Sequence, residues 1–158
     1  MRRVLVAGVG NPLRGDDGFG PAVIEALGPL PEGVRSTETG IGGVALLQDL
    51  MLGWDGLVLL DAVERDAAPG TVFVLEPHVP EAVHVPDVHL ANPDRVLSMA
   101  RSLGALPERV RIVGCQPEDA HTLAMGLSPV VAHAVGVAVA HVHRIVGEWL
   151  REPARAAV

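Results

Sequence analysis

The apolar run Val4-Leu5-Val6-Ala7 passes directly into Gly8-Val9-Gly10-Asn11-Pro12-Leu13-Arg14-Gly15-Asp16-Asp17-Gly18-Phe19-Gly20. The run reads as a buried strand, and a glycine-rich turn at its end lets the backbone come close to a ligand. Two adjacent carboxylates in such a turn repel phosphate and attract cations or positively polarised groups. The letters also fail both nucleotide patterns. A dinucleotide fingerprint needs a third glycine where Leu13 stands and a running helix where Pro12 stands. A Walker-type loop needs a lysine, and all 12 basic residues here are Arg. The turn therefore points to metal or cation chemistry.

Apolar and helical segments alternate downstream. Residues 3–8 are the first strand and Pro21 to Leu27 a helix, stopped by Gly28-Pro29-Leu30-Pro31. Val34 to Thr37 is a short strand. Gly42 to Leu52 is a helix with Leu46, Leu47 and Leu50 on one stripe. Leu57 to Leu60 is a second buried strand that ends in Asp61, and Thr71 to Leu75 a further strand. Residues 77–91 read as a loop rich in Pro and His. Pro93 to Leu103 is a helix with Val96, Leu97 and Ala100 inward, and Val110 to Gly114 is the last strand. Ser128 as N-cap and Pro129 at the first position start a long helix to about Leu150. Residues 151–158 are expected to fray.

Buried strands without polar alternation, separated by helices, predict one α/β domain over residues 1–150. Its form is three layers, with a mostly parallel twisted sheet and helices on both faces. A chain of 158 residues suffices for one good core. The net charge of −7 argues against nucleic acid as a partner. The N-terminus does not read as a signal peptide, and no apolar run approaches the roughly 20 residues of a membrane span. A single cysteine, Cys115, rules out an internal disulfide and fits a reducing cytoplasm.

Ligands of parallel sheets bind at the carboxyl ends of strands, so Asp61 neighbours the Asp16-Asp17 turn if the two strands adjoin. Asp61 is a helix cap or a functional carboxylate; no long helix follows it, which favours function. One of Asp16 and Asp17 can cap the next helix, but both cannot occupy one cap position. His133, His141 and His143 fall on the long helix and read as surface or packed residues, and His121 as solvated. Of His78, His84 and His89, the last is best placed, beside the helix that begins near Pro93. Two carboxylates and one imidazole make a three-ligand site with open positions, suited to zinc or nickel. Cys115 ends a buried strand and reads either as a nucleophile or as a small core residue. No serine lies in a G-x-S-x-G elbow.

These residues resemble the nickel–iron hydrogenase maturation endopeptidases. The pattern G-x-G-N-x-x-x-x-D-[DE]-x-x-G is met by Gly8 to Asn11, Asp16-Asp17 and Gly20. Asp61-Ala62 at a strand end, His89-Leu90 before a helix, Gly114 to Glu118 and the Gly-Leu-Ser-Pro of residues 126–129 follow in the family's order. The resemblance implies an endopeptidase that clips a C-terminal extension from a nickel-loaded hydrogenase large subunit. The substrate supplies the nickel as the recognition element, and no permanently bound metal is expected. The family's metal-contacting residues fall on Asp17, Asp61 and His89, with Asp16 as their neighbour. The ion then either polarises the scissile carbonyl or activates a water. One departure is Ile41 in Thr39-Gly40-Ile41-Gly42-Gly43, where the family commonly has Thr; it bears on substrate selectivity. The rival readings are a zinc-retaining metallohydrolase and a non-catalytic, metal-sensing chaperone.

Overall fold

The computed structural model describes residues 1–79 and 93–153. Five strands, β1 (Val4–Val9), β2 (Val34–Gly40), β3 (Gly56–Ala62), β4 (Val72–Leu75) and β5 (Arg109–Cys115), form one sheet in the order β2-β1-β3-β5-β4. The first four in that order run parallel, and β4 lies antiparallel on the edge beside β5. The helices are α1 (Phe19–Ala26), α2 (Gly43–Leu50), α3 (Pro93–Ser102) and α4 (Pro129–Arg151).

The central strands are apolar on both faces because both faces are covered. Val4, Val6, Val58, Leu60 and Val113 point to a core shared with α1 and α4. Their alternates Leu5, Ala7, Leu57, Leu59 and Val110 point to a second core shared with α2 and α3. Of the expected inward residues of α2 and α3, Leu46, Leu50, Val96, Leu97 and Ala100 are buried there, while Leu47 is only partly buried against the same core. Truncating a fully buried leucine such as Leu59 to alanine costs about 2–5 kcal/mol, so the two cores hold the strand ends firmly. The result is the three-layer α/β domain that the sequence predicts.

The differences are local. β2 extends to Gly40, because its pairing with β1 continues past Thr37, with a slip in register between Gly8 and Val9. A single 3-10 turn, Gly15–Gly18, precedes α1, and α1 starts at Phe19, which still leaves Pro21 in the first turn. Neither Asp16 nor Asp17 caps α1; Gly18 holds the cap position without a side-chain bond. Ser128 occupies the N-cap position of α4, with Pro129 following, but makes no capping bond. Beyond α4, Arg2 Nη2 donates to the Pro153 carbonyl at 2.7 Å and Glu152 pairs with Arg109, so residues 152 and 153 are tied back. Residues 154–158 lie outside the described residues.

One expectation about α4 needs correcting. At 23 residues and a mean hydropathy of 1.5 over its most apolar window, α4 is long and apolar enough to cross a membrane. The apolarity has another use here. Val131, Ala134, Ala138, Val142, Ile145, Val146 and Trp149 form its buried face against the sheet.

Candidate active site

The glycine turn leaves the carboxyl end of β1 and is folded by Asn11. Asn11 Oδ1 accepts from the Leu13 N–H at 2.9 Å, and its carbonyl accepts from the Arg14 N–H at 3.0 Å. The Asn11 N–H in turn donates to Asp17 Oδ2 at 2.7 Å. Gly10 has φ 134°, and a Cβ built there would stand 1.9 Å from the Asp17 carbonyl oxygen. Only glycine lets the two ends of the turn pack this closely, and that packing holds the half-buried Asp17 in place.

Asp16 faces a different set of partners. It is 1% exposed. Its Oδ2 accepts from the Glu118 N–H at 2.9 Å, the Asp119 N–H at 3.1 Å and the Ser128 hydroxyl at 2.8 Å. Its Oδ1 accepts from the Ser128 N–H at 2.7 Å. Burial works to raise its pKa, but the hydrogen bonds from Ser128, Asp119 and Glu118 outweigh it and leave the carboxyl below its ordinary value. Asp16 thus pins the segment between β5 and α4 to the glycine turn. A main-chain bridge from Arg14 to Ala124 runs beside it.

Asp61 stands at the carboxyl end of β3, which is paired with β1 as the argument from strand ends requires. It lines a cleft with Glu64, Pro93 and Asp94, where α3 begins. Burial, and next the negative charge of Asp17, push its pKa up to about 7, against a smaller opposing effect of the Ala62 N–H. A carboxyl poised there can give or take a proton near neutral pH. The sheet therefore brings Asp17 and Asp61 together. His89, the third candidate, lies outside the described residues, as does His84. Among the described residues no group of three His, Cys, Asp or Glu side chains is arranged to hold an ion.

Residues 22–145 match the sequence model of the hydrogenase maturation proteases. The chain belongs to the hydrogenase maturation protease family. It is 36% identical over 135 residues to the hydrogenase 2 maturation protease of Escherichia coli, covering 82% of this chain and 81% of that one. It is 32% identical over 153 residues to the hydrogenase expression/formation protein HupD of Rhodobacter capsulatus, covering 93% and 72%. The solved structure of the hydrogenase maturating endopeptidase HybD from E. coli matches with a TM-score of 0.79 at 34% identity, over 93% of each chain. The protein is accordingly a processing endopeptidase of hydrogenase maturation.

Within this maturation protease the remaining candidates fall into structural roles. Cys115 is fully buried, and burial followed by the charge of Asp16 raises its thiol pKa to about 11. It is a protonated core residue at neutral pH, which removes the thiolate a nucleophile needs. His143 Nε2 bonds the Leu27 carbonyl at 2.9 Å, and His141 Nδ1 lies 3.2 Å from Arg144. His78 and His121 are exposed. Ile41 is 62% exposed in the turn after β2.

Sequence reasoning missed three parts of this end of the maturation protease. Ser128 reads as a cap, yet its hydroxyl serves Asp16. Asn11 reads as a turn residue, yet it orients Asp17. Gln116 had no role assigned, yet it is buried at 5% exposure and bonded to Glu64 in the Asp61 cleft. A carboxamide directly after a buried strand is the signal for such a residue, because a buried amide must find partners.

Proposed function

We propose that this protease removes the C-terminal extension of a hydrogenase large-subunit precursor and recognises the nickel already bound by that precursor. The observation that carries the reading is the meeting of Asp17 and Asp61 at the carboxyl edge of the sheet, with Asp61 held near pKa 7. Two oxygen donors, joined by the imidazole of His89, suit a borderline divalent ion that substrate groups already hold. Two carboxylates and one imidazole lack the fourth protein donor of a closed structural site, and on this reading the ion stays with the product. Asn11 and Gly10 fix Asp17, β3 fixes Asp61, and Asp61 can shuttle a proton during hydrolysis. The enzyme works in a reducing compartment, the cytoplasm.

The surroundings fit a protein substrate. The loops at this edge place Leu13, Ile41, Leu123 and Met125 in solvent, at 55–84% exposure. Apolar side chains grouped at one edge mark a surface that docks another macromolecule.

The test is cleavage of the nickel-loaded precursor, followed by its mass, with thermal unfolding measured in parallel. Asp17→Asn, Asp61→Asn and His89→Ala are expected to lose cleavage while remaining folded. Cys115→Ala is expected to keep cleavage at a cost of about 1 kcal/mol in stability. Full activity in all three site variants sinks the proposed site, and a folded but inactive Cys115→Ala protein restores the cysteine as nucleophile.

A further inference from the structure

The segment that leaves β3 just after Asp61 and Ala62 is strapped to the end of β5. The Val63 N–H donates to the Cys115 carbonyl at 2.9 Å. The Val63 side chain packs over Gly114, where a Cβ would sit 2.6 Å from Val63 Cγ2. Gln116 completes the strap. Its Oε1 accepts from the Arg65 N–H at 2.7 Å and the Ala67 N–H at 3.3 Å. Between those donors Asp66 takes φ 52°, a left-handed conformation uncommon outside glycine. Main-chain bonds from the Gly70 N–H to the Gln116 carbonyl and from the Gln116 N–H to the Thr71 carbonyl hold Gln116 itself.

These contacts secure the segment through Oε1 and the main chain. The other end of the amide does something different. Gln116 Nε2 donates to Glu64 Oε2 at 2.7 Å, with only a long 3.4 Å approach to the Pro117 carbonyl besides. Glu64 is exposed and lines the cleft that contains Asp61. Water solvates an exposed carboxylate without help, and fixing its rotamer costs side-chain entropy. The bond satisfies one N–H of the buried Gln116 amide. Its effect is to hold one carboxylate in a set position beside Asp61.

We propose that Gln116 is a positioning residue, and that the Glu64 it holds binds the precursor segment flanking the scissile bond by accepting an N–H donor from it. The proposal rests on the precursor proteolysis put forward above. Preorganising an acceptor lowers the ordering cost of binding. Loss of Glu64 should therefore act on KM more than on kcat.

The experiment measures kcat and KM for nickel-loaded precursor with the wild-type protein, Glu64→Ala, Glu64→Gln, Gln116→Ala and the double alanine variant. Glu64→Ala is expected to raise KM about tenfold with kcat within about twofold, with a small fall in melting temperature because the buried Gln116 amide loses a partner. Glu64→Gln keeps an acceptor oxygen and should recover most of the loss. Gln116→Ala lowers the melting temperature, because two main-chain N–H groups lose their acceptor, and it raises KM as well. If Gln116 acts through Glu64, the double variant has the KM of Glu64→Ala alone. An unchanged KM in Glu64→Ala, a Gln variant as poor as the Ala variant, or multiplying effects in the double variant overturns the proposal while leaving the proteolysis intact. A wild-type protein that does not cleave the precursor overturns both.

Discussion

Asp16 and Asp17 are chemically identical neighbours in different surroundings, and the difference lies in what donates to each. Asp16 collects hydrogen bonds from Glu118, Asp119 and Ser128 and is held below the ordinary carboxylate pKa. A depressed folded-state pKa gives stability that is complete above the unfolded value and lost as pH falls through the folded one. Asp16→Asn is therefore expected to destabilise by about 1–3 kcal/mol at pH 7, with the gap to wild type narrowing toward pH 3 in melting experiments. Asp61 carries the opposite sign. Its pKa rises from 3.8 to about 7, so between those values the folded protein keeps a proton that the unfolded chain has released. Its stability contribution is complete below pH 4 and lost as pH rises through 7. Asp61→Asn is expected to melt higher than wild type at pH 8, by about 2 kcal/mol once solvent screening is discounted. The gain should vanish near pH 4, and cleavage should be lost. A lower melting temperature for this variant at pH 8 contradicts the assignment of Asp61 as a destabilising, functional group.

At the scale of elements, the strands and the four described helices follow from patterns that a single sequence carries, whereas the adjacency of β1 and β3 does not and is a finding of the structure. Val4 to Ala7 and Leu57 to Leu60 announce strands buried on both faces, and the Leu46/Leu50 and Val96/Leu97/Ala100 stripes announce the helices that cover them. Asp61 stood out because it ends a buried strand, whereas the letters alone did not choose between Asp16 and Asp17 and only the family resemblance pointed to Asp17. The partners of Asp16 were not legible, since Glu118, Asp119 and Ser128 are brought to it only by tertiary folding. The 3-10 turn was equally hidden, because no periodic signal marks four residues. The register slip between Gly8 and Val9 lies where β1 runs into the glycine turn. Gly10→Ala tests this element directly. With φ 134° and a Cβ that meets the Asp17 carbonyl at 1.9 Å, the variant must displace Asp17. It is expected to lose most cleavage while the two cores remain, which far-UV circular dichroism and melting can show beside the cleavage rate. Wild-type cleavage by Gly10→Ala contradicts the role given to the turn.

At the scale of the whole molecule, two apolar cores grip one sheet, and the loops that leave its carboxyl edge carry the acidic pair. The proposed reading is that the protease contributes carboxylates and a docking edge while its substrate contributes the metal. The most direct measurement is to strip the protease of metal with a chelator, remove the chelator, and incubate the protein with nickel-loaded and nickel-free precursor. The mass of the precursor is then followed over time. The account predicts that only the nickel-loaded precursor loses its C-terminal extension, with no metal added to the protease. Efficient cleavage of the nickel-free precursor, or activity that returns only when zinc is restored to the protease, contradicts it.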